Sequence, residues 1–129
     1  MAPQCAPGED SARRDLSARA GSFLTVWGAP ILAGLAASVL APSTAWAAAA
    51  WSLALAWMGG ACLVNARRCG RVHCYVSGPI LLVGAGLAAA SGVGVLAFGP
   101  SGVSLIVAAT LVLATLTYLL ELVWGRYRR

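Results

Sequence analysis

Three side chains that can bind a soft metal ion lie within six residues of one another, at Cys69, His73 and Cys74. Soft metals prefer thiolate and imidazole ligands. Cys62 precedes Cys69 by seven residues. If one helix continues past Asn65, Cys62 and Cys69 share a face about two turns, or ~10 Å, apart, and Asn65 lies on the same face. The pattern predicts soft-metal binding by Cys62, Cys69, His73 and Cys74.

Three arginines, Arg67, Arg68 and Arg71, surround these candidate ligands. Positive potential of this kind favours the reactive thiolate form of a neighbouring cysteine. No CxxC spacing is present, so a structural zinc site is not indicated. Simpler interpretations stay open, because the arginines can act only as topology signals and the candidate ligands as incidental loop, interfacial or packing residues. Cys5 lies in a polar N-terminal tail and is expected to matter least.

The composition indicates that these side chains belong to a membrane protein. Of 129 residues, 60% are hydrophobic and 10% are charged, against about 25% charged in a typical soluble domain. All nine basic residues are arginine, and the net charge is +5. Basic and aromatic residues do not alternate along a soluble face, so nucleic acid is not an expected partner.

Four apolar runs predict four transmembrane helices, because about 20 residues cross ~30 Å of hydrocarbon. We place the spans at residues 22–41, 44–64, 79–98 and 103–124, with Pro30 kinking the first. Residues 65–78 are predicted to form the polar loop that carries the Cys, His and Arg residues, and Pro79 suits the first turn of the third helix. The predicted fold class is therefore all-α, an integral membrane protein with four transmembrane helices.

The arginine distribution predicts the orientation. Residues 1–21, 65–78 and 125–129 each contain three arginines, whereas the connections at 42–43 and 99–102 contain none. Cytoplasmic segments carry the excess of positive charge, so both termini and the 65–78 loop are expected in the cytoplasm, where thiols stay reduced. The expected location is the bacterial cytoplasmic (inner) membrane.

A cleaved signal peptide is the main alternative for the first span. Arg13 and Arg14 precede an apolar run that is followed by Ala45-Trp46-Ala47, an A-x-A pattern. Signal peptides have an apolar region of about 7–15 residues, whereas this one has about 20 residues and a central Pro30. Alanine-rich membrane helices also produce A-x-A by chance, so the sequence favours a transmembrane helix.

Glu121 is the only charged residue within a predicted span. Ionisable groups inside membranes are candidates for function. However, Glu121 lies one turn from Trp124 and the terminal arginines, so we predict a carboxylate paired with Arg126 or with an arginine of the inner loop. The chain has no catalytic Ser/His/Asp set, phosphate-binding loop or carboxylate pair, and we expect no enzyme.

Residues 61–79, ACLVNARRCGRVHCYVSGP, resemble a motif of small bacterial membrane proteins, some of which belong with mercury-resistance systems. The resemblance implies uptake of mercuric ion, with Cys69, His73, Cys74 and Cys62 as ligands and a cytosolic mercuric reductase or other thiol acceptor as partner. Mercury would bind transiently, and no tightly bound cofactor is implied. The better-known mercury transporters have a vicinal cysteine pair in the first span, which this sequence lacks.

Two other classes of function remain open at the level of sequence. The chain can be a structural or accessory membrane subunit whose loop docks a partner. It can also form a homo-oligomer. It can also be a thiol-redox or metal-sensing membrane protein in which Cys69 and Cys74 form a disulfide. Metal-dependent uptake would separate mercury transport from an accessory role, and thiol trapping after oxidation would identify a redox protein.

Overall fold

Four long apolar helices make up the protein, whose structure is a computed structural model that describes residues 13–99 and 101–125. The helices are α1 (Ala20–Leu40), α2 (Thr44–Cys69), α3 (Val72–Gly92) and α4 (Gly102–Trp124). The shortest has 21 residues, so at 1.5 Å per residue each is long enough to cross ~30 Å of hydrocarbon. The prediction of an all-helical fold with four helices long and apolar enough to span a membrane is confirmed, and the described residues contain no β-strand.

The central pair of helices is α2 and α3, which make the most extensive contact in the bundle. α1 packs on α2, whereas α4 packs mainly on α3. Among the described residues, α1 and α4 do not contact each other. Buried apolar side chains from three helices form the core, including Leu55, Met58, Leu81 and Val107. The first and last helices are therefore held through the central pair and leave a gap between them.

Two glycines allow α2 and α3 to approach closely. A Cβ atom at Gly59 would lie 3.0 Å from the carbonyl oxygen of Gly78 and 2.9 Å from Cγ of Leu82. Small residues at such positions let membrane helices pack backbone to backbone. Gly59 precedes Cys62 by three residues, and Gly78 follows Cys74 by four. The close approach therefore brings the two cysteines to facing helix surfaces.

The predicted polar loop at 65–78 is wrong, because all of it except Gly70 and Arg71 is helical. α2 continues to Cys69 and ends where Gly70 adopts φ 65° and donates its N–H to the Ala66 carbonyl at 2.8 Å. Left-handed glycine is a common helix terminator. Arginine is a good helix former and is favourable near a helix C-terminus. The polar residues thus mark the end of the apolar run, and the helix itself ends later.

The bounds of the third helix also differ from the predicted span at 79–98. α3 begins at Val72 and ends at Gly92, and Pro79 lies inside it. An internal proline frees a carbonyl, which membrane helices tolerate when neighbours satisfy it. Residues 93–99 are irregular, with positive φ at Gly94 and Gly99. Apolar composition alone did not distinguish this connection from helix, so the predicted third span was shifted toward the C-terminus.

The outer helices each contain an irregular turn. In α1, residues Leu24–Gly28 are π-helical just before Pro30, and π-bulges are a common cause of helix bending. In α4, Thr117 separates Gly102–Leu116 from Tyr118–Trp124, and its hydroxyl donates to the Ala114 carbonyl at 2.6 Å. The final segment of α4 carries Glu121 toward the arginine-rich end of the bundle.

Candidate functional site

Cys62 of α2 and Cys74 of α3 form a buried pair of thiols, which we call the thiol pair. Their exposed fractions are 1% and 0%, and each sulfur accepts a hydrogen bond from the opposite helix, which places both thiols at the same helix interface. The Ser77 hydroxyl donates to Sγ of Cys62 at 3.5 Å, and the Asn65 amide donates to Sγ of Cys74 at 3.6 Å. These donors favour negative charge on sulfur. None of the three described cysteines is in a disulfide.

His73 places a base beside the thiol pair. Its Nε2 lies 3.3 Å from Sγ of Cys74, and its Nδ1 lies 2.5 Å from Oε1 of Glu121. The ring stacks on Tyr118 with a centroid distance of 3.9 Å. A proton on Nδ1, donated to the Glu121 carboxylate, leaves Nε2 as the acceptor that faces Cys74. Thiol, imidazole and carboxylate therefore follow the order of a nucleophile, its base and the group that orients the base.

Arg71 links two carboxylates at the end of the bundle, and we call Asp15, Arg71 and Glu121 the ion network. Nε of Arg71 lies 2.9 Å from Oε1 of Glu121, and a terminal guanidinium nitrogen pairs with the Asp15 carboxylate and donates to the Ser17 hydroxyl at 2.5 Å. The predicted pairing of Glu121 with an inner-loop arginine is thus confirmed for Arg71. Arg126, the other predicted partner, lies outside the described residues.

The ion network shifts the pKa values of the two groups that lie outside the membrane spans. Burial raises the pKa of the Asp15 carboxyl, but hydrogen bonds from Ser17 and Asn65 and the charge of Arg71 outweigh burial, so the net pKa is below its usual value. Burial lowers the pKa of the Arg71 guanidinium, whereas Glu121 and Asp15 raise it more. Both groups are therefore charged at neutral pH.

The segment before α1 packs on the bundle, which differs from the predicted polar tail at 1–21. Oδ1 of Asp15 accepts from Nδ2 of Asn65 at 2.9 Å, and the Leu16 N–H donates to Oδ1 of Asn65 at 3.1 Å. The Ser22 hydroxyl donates to the Leu16 carbonyl at 2.7 Å. Asn65 thus joins the chain before α1 to the thiol pair. Cys5 lies outside the described residues.

Of the four predicted ligands, the structure groups Cys62, His73 and Cys74. Cys69 is also buried, as the last residue of α2, and lies about two turns, or ~10 Å, along the helix from Cys62. Within residues 13–99 and 101–125, no group of three or more His, Cys, Asp or Glu side chains is arranged to hold a metal ion. The site therefore offers a pair of thiols with an adjacent imidazole.

Sequence reasoning missed that Asp15 belongs to the site and that Glu121 contacts His73 as well as Arg71. Glu121 is 48 residues from His73, and Asp15 is 50 residues from Asn65. Asp15 stands among arginines in a polar segment, where an acid has many possible partners. The one usable signal was Asn65, a polar residue on the predicted face of Cys62 and Cys69.

The gap between α1 and α4 contains a cleft of about 420 Å³, which we call the α1/α4 cleft. Its walls are mostly apolar, with residues such as Ile31, Met58 and Leu111. The aromatic and polar side chains that line it are Phe23, Trp27, Tyr118, Cys62, His73, Ser77 and Thr115. Of the thiol pair, Cys62 lines this cleft, between two helices whose backbones do not approach each other in the described part of the chain.

The geometry supports chemistry of thiols: deprotonation by His73, binding of a thiophilic ion by two sulfurs, or formation of a disulfide. The polar groups around the pair are all satisfied, since no buried side-chain nitrogen or oxygen in the described part of the chain lacks a hydrogen bond. Comparisons with protein-family models, curated proteins and solved structures found no match to this chain.

Proposed function

We propose that the protein handles a soft metal ion, most readily mercury(II), which binds to the thiol pair and is passed to a cytosolic thiol acceptor. The observation that carries the proposal is a pair of buried thiols at one helix interface, Cys62 of α2 and Cys74 of α3, with His73 beside Cys74. Mercury(II) is soft and takes two thiolates in a line. Two sulfurs with a neighbouring base supply what such an ion needs.

Binding requires that both thiols lose their protons. Nε2 of His73 is 3.3 Å from Sγ of Cys74 and can accept one of them. The Ser77 and Asn65 donors stabilise the resulting negative charge on the sulfurs. The divalent ion then neutralises both thiolates, which makes the loaded site suited to an apolar surrounding. The protonated His73 is in turn stabilised by the Glu121 carboxylate at 2.5 Å.

Release proceeds by ligand exchange, in which a third thiolate attacks the bound ion. Cys69 is the next thiol toward the arginine-rich end of α2. We propose that it relays the ion to a mercuric reductase or another thiol acceptor. The arginine distribution supports a cytoplasmic location for this end, with both termini inside a bacterial cytoplasmic membrane. Each exchange step conserves the number of metal–sulfur bonds, so no ATP is needed.

The contacts change the expected ranking of the cysteines. The sequence pattern makes Cys69 and Cys74 the core of the site, with Cys62 as a relay. The hydrogen bonds that place Cys62 and Cys74 at the same helix interface favour these two as the binding pair, with Cys69 as the relay position.

Uptake of labelled mercury by cells that express the protein tests the proposal. Cys62→Ser and Cys74→Ser should each reduce accumulation strongly, and the double variant should be little worse than either, because a two-thiolate site fails when one ligand is lost. Cys69→Ser should have a partial effect, and Cys5→Ser serves as the matched control. Protein levels are equalised by immunoblot. If the Cys62/Cys74 double variant accumulates mercury like the wild type, the proposal is wrong and an accessory-subunit role becomes the better account.

A further inference from the structure

The α1/α4 cleft offers a route to the thiol pair for a reactant other than a metal ion. Cys62 lines the cleft, whereas Cys74 lies behind it against His73. Cys62 is 1% exposed, so a reactant reaches its sulfur only when the side chains that line the cleft move apart. Because those side chains are mostly apolar, the cleft favours reactants that dissolve in the bilayer over reactants that dissolve in water.

The lining of the cleft indicates the shape of such a molecule. Trp27 and Phe23 form a stacked pair with centroids 5.4 Å apart, and Tyr118 stacks on His73. Flat aromatic walls favour a flat ring. Once Nε2 of His73 has taken the proton of Cys74, it can donate a hydrogen bond to a ring carbonyl group. A volume of about 420 Å³ is within the range of small-molecule sites.

We infer that a lipid-soluble quinone binds in the α1/α4 cleft and oxidises the thiol pair to a Cys62–Cys74 disulfide. A quinone accepts two electrons and two protons, and two thiols lose the same number when they form a disulfide. The inference goes beyond mercury handling and does not depend on it, because no metal takes part in the reaction.

The step can be written with all atoms balanced. The Cys62 thiolate adds to a ring carbon of the quinone and forms a sulfur–carbon bond. His73 takes the proton of Cys74, and the Cys74 thiolate attacks Sγ of Cys62. The sulfur–sulfur bond forms, the sulfur–carbon bond breaks, and its electron pair leaves with the ring. The two thiol protons end on the ring oxygens, which gives one quinol for each disulfide.

This assignment differs from the disulfide considered at the sequence level, which joined Cys69 and Cys74. Cys62 is the cysteine that both lines the cleft and interacts with Cys74. The reaction also has a consequence for the proposed function: a disulfide leaves no thiolates for a metal, so the oxidised protein should not bind mercury at this pair.

Oxygen-free mixing of the reduced full chain, in lipid nanodiscs, with a ubiquinone that has one isoprenyl unit tests the inference. Quinone consumption is followed by absorbance, and disulfide formation by the mass shift after thiol trapping. We expect one quinol per protein from the wild type and from a Cys5→Ser/Cys69→Ser variant that retains only the thiol pair. Cys62→Ser and Cys74→Ser should form none, and His73→Ala should react roughly 100-fold more slowly.

A pair of cleft variants separates binding from chemistry without removing a thiol. Ala114 lines the cleft, so Ala114→Leu should raise several-fold the quinone concentration needed for the half-maximal rate. Ala108→Leu, on an exposed part of α4, is the matched control and should react like the wild type. A charged naphthoquinone sulfonate should react more slowly than the lipid-soluble quinone.

Three results would overturn the inference: no quinol from the wild type, no disulfide in the variant that retains only Cys62 and Cys74, or equal rates for Ala114→Leu and the wild type. Mercury accumulation in the same strains is measured separately. Failure of the quinone reaction with normal mercury uptake removes this inference alone, and the reverse result removes only the proposed function.

Discussion

The two ends of the bundle differ in how their polar side chains are paired. At the arginine-rich end, Asp15, Arg71 and Glu121 form buried ion pairs around His73. At the opposite end, the connections at 42–43 and 99–102 contain no charged residue. There, neutral bonds suffice: the Trp51 indole N–H donates to the Ser38 hydroxyl at 2.8 Å, and Ser43 caps α2.

This difference separates an end that is held by apolar packing from an end where ionisable groups are concentrated. A Cβ at Gly34 would lie 2.7 Å from the Trp51 ring, so the neutral end holds α1 and α2 by close apolar contact. The charged end instead places several ionisable groups close together away from water, although the desolvation of each group costs free energy. Such groups inside a membrane protein are candidates for function, and here they surround the thiol pair.

The largest expected effect comes from breaking the ion network at its centre. Arg71→Ala leaves the Asp15 and Glu121 carboxylates without their shared cation, and the loss of one partner of a buried pair costs about 3–5 kcal/mol. Thermal unfolding in detergent, followed with a thiol-reactive dye that reports exposure of the buried cysteines, measures the change. Arg67→Ala, which removes an exposed arginine two residues before Cys69, should cost no more than about 1 kcal/mol. Equal losses would mean that the network adds nothing beyond net charge.

The comparison of the two ends also explains which parts of the fold and of the candidate site the sequence could predict. Hydropathy and the length of the apolar runs are local properties of the sequence, and they were enough to predict all four helices. The bounds near 65–78 were wrong because charge marks the edge of the membrane, while the end of α2 depends on the left-handed Gly70. The sequence also singled out Cys62, His73 and Cys74 of the candidate site. The contacts of Asp15 and Glu121 depend on helix packing over about 50 residues, which no local pattern contains.

The loss of one hydrogen-bonding side chain at either end should lower the stability less than the loss of Arg71 does. Asn65→Leu removes the partner of the Leu16 N–H and donors to Asp15 and Cys74, so we expect a loss of about 1–3 kcal/mol because buried polar groups are left unpaired. Ser38→Ala at the neutral end removes the acceptor of one indole N–H and should cost about 0.5–1.5 kcal/mol. The same dye-based unfolding assay measures both. A Ser38→Ala loss larger than that of Asn65→Leu would contradict the view that Asn65 organises the charged end.

The smallest effect is a pH dependence that only the charged end can produce. The pKa of Asp15 lies below its ordinary value of 3.8 in the folded protein, because hydrogen bonds from Ser17 and Asn65 and the charge of Arg71 outweigh its burial. A group with a lowered folded pKa stabilises the protein above its unfolded pKa, and this stability is lost as the pH falls through the folded pKa. Asp15→Asn should therefore be less stable than the wild type at pH 7, and the two should converge as the pH falls below about 4. Circular dichroism melts between pH 3 and pH 7 follow the difference, and the Ser38→Ala variant, which alters no ionisable group, should keep a constant offset from the wild type. A difference between Asp15→Asn and the wild type that stays constant over this range would show that the ionised carboxylate contributes no more than a neutral amide does.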